Sequence, residues 1–441
     1  MDKQSLAVNC ERVGVLSNKQ SFDLNPVLIA SLPIRGGEGG VITMIRAFGA
    51  LAQQRGYSTS YICNTPGSRD PKNRGFLQLV QGKWQVGIEK FEFEGQPCFE
   101  VGRRLPLIEP LHYLGNFREW NNIARRFPIL QVISGSNHAG LTFALANRKF
   151  ICWVATPYDE DKEARRNGWT LVRRFVDKSA ITPLCRLIEG YIYRKCSQIV
   201  TLSTYTANII SRRFRISRDQ ILILPCPIDI ERFYPSSKPS REKIVLFVGR
   251  YSDPRKNAAM LIHAFSRVLK QQSDAKLLLV GGEPISDLRD LVAKLNLNHA
   301  VEFHGVKPYR EMISYYQRAS IFAIPSLQEG LGIVGLEAMA CGLPIVSARC
   351  GGPEDFIREG VTGFLVPSND LSAMADHLVE LLTNPLLRAQ MGVQARRDVE
   401  EHFSYKALME NFDMIYRRVY PELFKSNLNE RESLREEYAG I

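Results

Sequence analysis

The stretch Ile321–Glu354, IFAIPSLQEGLGIVGLEAMACGLPIVSARCGGPE, has the pattern of one strand–helix–strand unit. Its first four residues form an unbroken apolar run before Pro325, as expected of a buried parallel strand. Helical spacing begins near Ile333, and Gly342 followed by Pro344 supplies a stop signal. A second apolar strand follows and leads to a pair of glycines. The stretch therefore predicts an α/β domain with a parallel sheet.

Two carboxylates flank the start of this predicted helix. Glu329 lies in the loop before it, and Glu337 lies about one turn inside it. The first backbone N–H groups of a helix lack partners within the helix, so those of Gly332, Ile333 and Val334 are candidates for binding a phosphate. A phosphate with hydroxyl-bearing groups on either side is the layout of a nucleotide sugar. The alternative from spacing alone is an ordinary strand–helix unit with a capping glutamate.

The same residues resemble a known family. Glu329 and Glu337 enclose seven residues in EGLGIVGLE, and the segments EAMACGLPIV and GGPE follow. This resembles the C-terminal nucleotide-sugar domain of the retaining glycosyltransferases of family 4, which have the GT-B fold. The resemblance implies two Rossmann-like, doubly wound α/β domains that face a central cleft. It further implies that Glu329 is catalytic and binds hexose hydroxyls, that Glu337 accepts hydrogen bonds from ribose hydroxyls, and that no metal or other cofactor is needed.

The length of 441 residues, with 45% hydrophobic and 23% charged residues, predicts a folded protein of two domains. We expect an N-terminal acceptor-binding domain over residues 1–226 and a nucleotide-sugar domain over residues 242–400. The proline-rich segment PIDIERFYPSSKPS, residues 227–240, is expected to be a stiff linker between them. By resemblance, a helix over residues 401–420 returns to the N-terminal domain.

The compartment is predicted from three features of the sequence. The N-terminal segment MDKQSLAVNCERVGV lacks the apolar core and cleavage site of a signal peptide. The sequence contains no run of 18 apolar residues, so it predicts no membrane-spanning helix. The nine cysteines include no C-x-x-C pair, which indicates reduced and mostly buried thiols. We therefore expect a cytoplasmic protein, with a peripheral position on the inner face of the membrane as a further option.

The net charge of +11 is concentrated in one part of the chain. Residues 161–220 carry thirteen Lys and Arg against five Asp and Glu. Such an excess fits nucleic acid or an anionic membrane surface, and no nucleic-acid-binding module is visible. Apolar and basic residues interleave over 167–176 and again over 184–194, which is typical of interfacial helices. We expect residues 161–218 to bind an anionic membrane; a solvated basic face and helices that cover the domain's own sheet are the alternatives.

A glycine-rich loop follows the first predicted strand. The strand VLIASL (27–32) leads into PIRGGEGG (33–40) and then a helical pattern over 41–54. These elements open a doubly wound domain, in which ligands lie beyond the strand ends. The loop lacks the G-x-G-x-x-G fingerprint, which disfavours an oxidoreductase. It resembles the GGxG loop of family 4, which implies that Gly37 and Gly39 let the backbone approach the donor's diphosphate; a turn with no ligand is the alternative.

Two basic residues follow the first predicted strand of the second domain. Arg250 comes after the strand 243–248, and Lys256 lies six residues further on. A guanidinium fork and an ammonium point charge can converge on one phosphate, and both residues hold the positions of the family's basic pair. The resemblance implies that they are catalytic, because they bind the charge that grows on the leaving diphosphate. It also makes Val306, in the turn after another predicted strand, a candidate contact for the nucleobase.

The predicted N-terminal domain departs from the family at one position. Family 4 enzymes often have a histidine at a strand end close to the transferred sugar, whereas this chain has Thr156 in the segment VATP. His138, one strand–helix unit earlier, is a candidate for the same cleft or a helix-start residue without chemistry. The departure keeps open a degenerate protein that binds a nucleotide sugar, or acts as a scaffold, without transfer.

Three adjacent acids, Asp159–Asp161, formally match a D-x-D metal motif but are more typical of a solvated helix start. We therefore predict a metal-independent, retaining transferase. It moves a hexose from a nucleoside-diphosphate sugar, with UDP favoured, to a lipid-linked or polysaccharide acceptor.

Overall fold

The computed structural model describes residues 24–424 except 36, 38, 67–69, 75, 83, 105–108, 164–165, 167–168, 239–241 and 284. The first 23 residues of the predicted N-terminal domain therefore lie outside the described residues, as do two positions of the loop PIRGGEGG and the end of the predicted linker. The described chain forms two α/β halves, each built on one sheet.

The first sheet is parallel except at one edge. Its strands are Leu24–Ser31 (β1), Tyr57–Asn64 (β2), Ile88–Phe93 (β3), Gln96–Val101 (β4), Ile129–Ser134 (β5), Ile151–Val154 (β6), Gln198–Thr201 (β7) and Ile221–Ile223 (β8). They lie in the order β3-β4-β2-β1-β5-β6-β7-β8, and only β3 and β4 pair antiparallel. Exposed and partly buried side chains alternate along β3, as is typical of an edge hairpin.

Helices connect these strands across both faces of the sheet. They are Gly40–Gln54 (α1), Phe76–Val80 (α2), Glu109–Gly115 (α3), Phe117–Ala124 (α4), Leu141–Leu145 (α5), Tyr158–Glu163 (α6), Leu171–Val176 (α7), Thr182–Lys195 (α8) and Thr204–Phe214 (α9). A π-helical turn, Asp177–Ile181, joins α7 to α8. Helices α7 and α8 therefore form one continuous helical segment. Pro183, at the start of α8, has no N–H to donate to an α-helical hydrogen bond, which is compatible with the wider turn before it.

The second sheet is wholly parallel. Its strands are Ile244–Val248 (β9), Lys276–Val280 (β10), Val301–His304 (β11), Ile321–Ile324 (β12), Ile345–Ala348 (β13) and Gly363–Val366 (β14). They lie in the order β11-β10-β9-β12-β13-β14. Its helices are Ala258–Val268 (α10), Ser286–Lys294 (α11), Met312–Arg318 (α12), Ile333–Ala340 (α13), Leu371–Thr383 (α14), Pro385–His402 (α15) and Tyr405–Val419 (α16).

Each sheet has a strand at which the winding direction reverses. In the first sheet β1 lies between β2 and β5, and in the second sheet β9 lies between β10 and β12. The crevice beyond the carboxyl end of such a strand is where open α/β sheets bind ligands. The prediction of two doubly wound Rossmann-like halves is confirmed.

The last helix, α16, packs against the first sheet although it follows the second in sequence. The hydroxyl of Tyr416 donates to Gln131 Oε1 over 3.1 Å, and the hydroxyl of Tyr420 donates to the carbonyl of Leu130 over 3.0 Å. Phe412 stacks on Trp153 with 6.0 Å between ring centroids. These contacts belong to a core cluster that runs without a break from one sheet to the other.

Candidate active site

A cavity of about 210 Å³ lies where the two switch points face each other. Loops that follow β1, β5, β6 and β7 line it on one side, and loops that follow β9 and β12 line it on the other. The predicted site residues among its lining are Gly39, Thr156, Arg250, Lys256, Glu329, Gly332, Ile333 and Val334. Residues far apart in sequence are thus brought to one place by the ends of two sheets.

Lys256 and Glu329 form the central ion pair of this cavity. The ammonium of Lys256 donates to Glu329 Oε1 over 2.6 Å, and the hydroxyl of Ser326 donates to the same oxygen over 2.6 Å. Both side chains are largely buried, with 17% and 11% of their surface exposed. The carboxylate therefore holds the ammonium at a fixed point of the cavity wall.

Arg250 contributes a more mobile charge to the same wall. Its guanidinium lies 3.6 Å from Asp253, and 57% of the side chain is exposed. A long exposed side chain loses little by moving onto a ligand. Arg250 and Lys256 therefore border one cavity, as their spacing predicted, but only Lys256 is held in place by a close partner.

Arg255 also lines the cavity, and the sequence reasoning missed it. This buried residue donates from Nη2 to Asp253 over 2.9 Å and from Nη1 to Gln328 over 3.2 Å. The segment PRK offers two adjacent basic residues, and only the tertiary partners distinguish them. Arg255 ties the loop after β9 to the loop that carries Glu329, because the N–H of Leu327 also donates to its carbonyl over 2.7 Å.

Helix α13 begins at the cavity. Gly332 is its N-cap, with a φ of 87° that favours glycine, and Ile333 is its first residue. The first N–H groups of a helix have no partners inside it, and the helix dipole adds partial positive charge there. This end of the cavity is therefore suited to a phosphate, alongside Lys256.

Two glycines of the loop after β1 differ in position. Gly39 lines the cavity and precedes α1 with a φ of 96°, which again favours glycine. Gly37 is not part of the described lining; its N–H donates to the carbonyl of Ile34 over 2.9 Å and closes a turn. Of the two glycines predicted to approach the diphosphate, Gly39 therefore borders the cavity and Gly37 does not.

Glu337 and Val306 also lie outside the described lining. Glu337 is buried within α13, where it accepts a hydrogen bond from the hydroxyl of Tyr316 over 2.7 Å. Burial raises its pKa to about 7, although hydrogen bonds from Tyr316 and Tyr309 act in the opposite direction. Val306 follows β11 and is 49% exposed. The expected contacts of these two residues with ribose and base stay predictions.

His138 lies beneath the cleft instead of in it. It is fully buried, and its Nδ1 is 3.5 Å from Glu109 Oε1. Burial alone lowers its pKa, but the adjacent Cys185 and Glu109 side chains and further negative charge outweigh this and raise the pKa to about 10. His138 is not among the described residues that line the cavity, so the structure places Thr156 there and not His138.

Asp159 and Glu160, from the segment of the D-x-D match, are paired with arginines. Asp159 pairs with Arg166 over 2.9 Å and also contacts Arg186, and Glu160 pairs with Arg213. Asp159 is buried, which corrects the expectation of a solvated helix start. In the described part of the chain, no group of three or more His, Cys, Asp or Glu side chains could hold a metal ion.

The continuous helix from α7 to α8 presents apolar side chains to solvent. No residue of α7 is buried. Three of its apolar side chains are strongly exposed, Leu171 at 83%, Val172 at 74% and Phe175 at 73%, and so is Leu187 of α8 at 72%. The side chains of α7 therefore do not cover the domain's own sheet, whereas Ile192 and Tyr193 of α8 are buried in its core, so that alternative holds for part of α8. None of the described helices has both the length and the hydropathy to cross a membrane.

Comparison with known proteins places this architecture in a family. Residues 38–232 match the profile described as Glycosyltransferase Family 4, and residues 230–398 match the profile described as Glycosyl transferases group 1. Together the two profiles span most of the chain and meet at the predicted linker.

Curated relatives match about half of this chain. A GDP-mannose-dependent monoacylated alpha-(1-6)-phosphatidylinositol monomannoside mannosyltransferase from Corynebacterium glutamicum is 34% identical over 244 residues, which is 50% of this chain and 63% of that protein. A D-inositol 3-phosphate glycosyltransferase from Corynebacterium diphtheriae is 28% identical over 250 residues, which is 52% of this chain and 58% of that protein. The match thus covers less than two thirds of either relative.

Solved structures share the fold over nearly their whole length. Sucrose-phosphate synthase from Thermosynechococcus elongatus superposes with a TM-score of 0.71 at 20% identity, covering 90% of this chain and 99% of that one. HepE from Anabaena, in complex with UDP, superposes with a TM-score of 0.65 at 15% identity, covering 88% of this chain and 99% of that one. At such identities the likeness concerns the GT-B fold alone. With both halves matched and the fold shared, the chain belongs to the family 4 glycosyltransferases.

Proposed function

We propose that the protein transfers a hexose from a nucleoside-diphosphate sugar to a hydroxylated, lipid-linked acceptor, with retention of anomeric configuration. The observation that carries the proposal is the convergence of Lys256, Glu329 and the start of α13 on one cavity between the two sheets. A phosphate site suits the diphosphate of such a donor, and the carboxylate beside it suits the hydroxyls of the hexose. The lipid-linked acceptor is preferred over a polysaccharide because α7 is apolar and exposed.

The proposed chemistry breaks the bond between the anomeric carbon and the β-phosphate oxygen. Negative charge grows on that oxygen while the sugar becomes oxocarbenium-like. Lys256, Arg250 and the N–H groups at the start of α13 then bind the leaving phosphate more tightly than they bind the intact donor, which lowers the barrier. The acceptor hydroxyl attacks the same face of the sugar, and its proton passes to the leaving phosphate oxygen. No step needs a metal ion.

Glu329 has two tasks in this scheme. Its Oε1 accepts from Lys256 and Ser326, which positions the ammonium for the phosphate. Its other oxygen is assigned to the hydroxyls of the hexose. Glu337 is assigned to the ribose and Val306 to the base, as the family resemblance implies.

The nucleotide is the least determined part of the donor. UDP was favoured from the sequence, whereas GDP-mannose is the donor named for the Corynebacterium glutamicum relative and for a relative from Mycolicibacterium smegmatis. These two names favour GDP-mannose as the first donor to test. ADP-sugars complete the panel.

Thermal unfolding with UDP, GDP, ADP and their hexose conjugates tests the donor site. A ligand at about 100 times its Kd adds roughly 2.7 kcal/mol to the free energy of unfolding, which is a readily measured rise in Tm. We expect the rise with one nucleotide and its sugar conjugate. If every nucleotide leaves Tm unchanged, the cavity binds no donor and the scaffold alternative gains.

The acceptor side of the proposal includes an anionic membrane surface. Arg173, Arg174 and Lys178 accompany the exposed apolar residues of α7 and the π-helical turn, and this combination suits an interface with anionic lipid. Flotation with vesicles that contain or lack anionic lipid measures it. We expect binding to the anionic vesicles only; equal recovery with both would remove the electrostatic part of the proposal.

A further inference from the structure

Arg103 lies at the same edge of the first sheet as the reaction cavity. It follows β4 by two residues, and the loops of Gly39 and Thr156 follow parallel strands of that sheet. Its backbone is fixed on both sides, because its N–H donates to Asn73 Oδ1 over 2.6 Å and its carbonyl accepts from Arg74 over 2.8 Å. The direction in which the side chain leaves the sheet is therefore set by the fold.

The guanidinium of Arg103 is buried without a hydrogen-bond partner for part of its donors. The residue is 9% exposed, and among the described residues neither Nε nor Nη2 has an acceptor. Burial lowers its pKa. Folded proteins rarely leave buried charged donors unpaired, because the lost hydration is not replaced. A ligand atom that accepts hydrogen bonds from Nε and Nη2 would replace this lost hydration.

The two acids whose charge reaches Arg103 are compensated by other cations. Asp70 lies 3.3 Å from the ammonium of Lys72, and Glu109 lies 3.5 Å from the ring of His138. Tyr113 and His112 are further titratable side chains near this guanidinium. The charge of Arg103 is thus not already neutralised by these acids, and the corner that it occupies favours an anion.

His112 shares this corner as a neutral ring. Burial, followed by the positive charge of Arg103, lowers its pKa to about 4. Its Nε2 has no hydrogen-bond partner among the described residues. A neutral imidazole next to a guanidinium can donate to an anion without adding repulsion toward Arg103.

Helix α3 connects this corner with the reaction cavity. It begins at Glu109, whose carboxylate accepts a hydrogen bond from Ser136 over 3.3 Å, and it carries His112 one turn later. Ser136 directly follows Gly135, which lines the cavity. These groups lead from the cavity lining toward Arg103, because the charge of Glu109 also acts on the Arg103 guanidinium.

We propose that Arg103, with His112, binds a phosphate of the acceptor, while Glu109 and Ser136 hydrogen-bond its hydroxyls. The ligand class is a polyol phosphate, either free in solution or as the headgroup of a membrane lipid. A guanidinium fork suits phosphate oxygens, and carboxylate and hydroxyl groups suit the hydroxyls of a polyol. The assignment rests on the proposed transfer reaction, and it makes Arg103 a specificity-determining residue for the acceptor.

Binding of inorganic phosphate, with the donor site saturated by the preferred nucleoside diphosphate, tests the site without catalysis. Calorimetric titration compares the wild-type protein with Arg103→Gln, Arg103→Lys and the control Arg104→Gln. Arg104 is adjacent but already paired with Glu119. We expect Arg103→Gln to weaken phosphate binding by roughly tenfold or more, as the loss of a charge-assisted hydrogen bond predicts. Arg103→Lys should retain part of it, and Arg104→Gln should leave it unchanged.

Transfer assays then separate the two sources of the phosphate. Inositol 3-phosphate is compared with inositol, and phosphatidylinositol vesicles with phosphatidylcholine vesicles. Transfer to inositol 3-phosphate but not to inositol assigns a free polyol phosphate. Transfer only in the presence of phosphatidylinositol vesicles assigns a lipid headgroup. In either case Arg103→Gln should raise KM for the phosphorylated acceptor and leave KM for the donor unchanged.

Equal phosphate binding by wild-type protein and both Arg103 variants would overturn the proposal, even in an enzyme that transfers sugar normally. Loss of phosphate binding in Arg103→Gln with no transfer to any acceptor would uphold the site and overturn the proposed function instead. Tm values of all variants serve as the check on folding, and Arg103→Lys carries the test if Arg103→Gln does not fold.

Discussion

At the scale of single residues, the buried carboxylate of Glu337 gives a pH prediction. Its pKa in the folded protein is about 7, above the value of about 4.3 for an unfolded chain. The folded state therefore binds the extra proton between these values, and the free energy of unfolding falls as pH rises from about 4.3 to about 7. Glutamine cannot ionise but can still accept from Tyr316. We expect Glu337→Gln to raise Tm at pH 8 and the gain to shrink toward pH 5.

The size of this effect is about 4 kcal/mol at pH 8, from 1.36 kcal/mol for each pKa unit. Thermal melts of Glu337→Gln across the pH range measure it, with Glu401→Gln as the control because that side chain is 67% exposed. A Tm below that of wild-type protein at every pH would mean that the carboxylate stabilises the fold.

Arg255 gives a second residue-scale prediction. Its side chain bridges Asp253 and Gln328, which join the two loops on the second side of the cavity. Arg255→Met keeps the length of the side chain but removes these hydrogen bonds. We expect a fall in kcat of roughly tenfold to a hundredfold with a smaller change in donor Kd, because Lys256 and Glu329 lose their mutual alignment. Unchanged kcat would show that the two loops hold their positions without Arg255.

Individual site residues were predictable where a local motif fixes their place. Arg250, Lys256 and Glu329 follow strand ends, and such positions face the crevice of a doubly wound sheet. Arg255 was not predictable, because its burial depends on partners from two loops. The burial of Glu337 against Tyr316, from another helix, was likewise not predictable, and its expected contact with the ribose stays a prediction. Arg103 drew no attention in the sequence, since only the fold shows that its donors are buried.

At the scale of elements, α7 gives a prediction about the membrane. Its three most exposed apolar side chains, Leu171, Val172 and Phe175, contribute little to the folded core. Changing all three to serine should reduce binding to anionic vesicles at least about tenfold, because each buried apolar side chain contributes to insertion. Tm should stay within error of the wild-type value.

The matched control for that experiment is Leu386→Ser with Val393→Ser in α15. These side chains are also apolar and exposed, at 69% and 56%, but lie in the second half of the molecule. They should leave vesicle binding unchanged. If the α15 variant loses binding as much as the α7 variant, general surface hydrophobicity explains the binding and α7 is not the interface.

Arg166 gives the corresponding prediction about how this helical segment is held. Its guanidinium is 3% exposed and donates to Asp159 and to Asp177 in the π-helical turn. Arg166→Ala leaves these acids without this partner in a buried site, a change that typically costs about 3–5 kcal/mol. We expect a clearly lower Tm and faster proteolysis around α7. A Tm equal to that of wild-type protein would show that Arg186 and the other basic neighbours suffice.

Most elements were predictable because their apolar runs are continuous or evenly spaced. Strand β12 has the bounds that its apolar run indicated, and β9 and α1 begin within one residue of the predicted positions. Helix α15 was missed, since its buried residues are sparse along 18 positions and give little periodicity. The π-helical turn was also missed, because it depends on Pro183 and on the ion pairs of Asp177, which sequence spacing does not reveal.

At the scale of the whole molecule, the two halves meet closely at Gly330. A Cβ at this position would lie 2.3 Å from the carbonyl oxygen of Ala155, and the hydroxyl of Ser203 donates to the carbonyl of Gly330. Ala155 from the first half and Gly330 from the second half both line the cavity at this contact. We expect Gly330→Ala to separate the halves, to raise the radius of gyration in X-ray scattering and to lower the transfer rate at least tenfold. An unchanged radius and rate would show that the contact is not needed.

The arrangement of two doubly wound halves was predictable from the order of strands and helices, whereas their contact was not. In the sequence, Gly330 follows Glu329 in the motif and indicates only a flexible loop. Its need for glycine comes from the backbone of Ala155, which belongs to the other sheet. Closeness between sheets is a property of the folded molecule alone.

The transfer rate of Lys256→Ala and Glu329→Ala, with the preferred donor and acceptor, tests the central claim most directly. The account predicts that each variant keeps the wild-type fold and loses transfer by a factor of about 10² to 10³ or more, because each removes a group that acts on the departing phosphate or positions one that does. Near-normal turnover in either variant would contradict the account and place the chemistry outside this cavity.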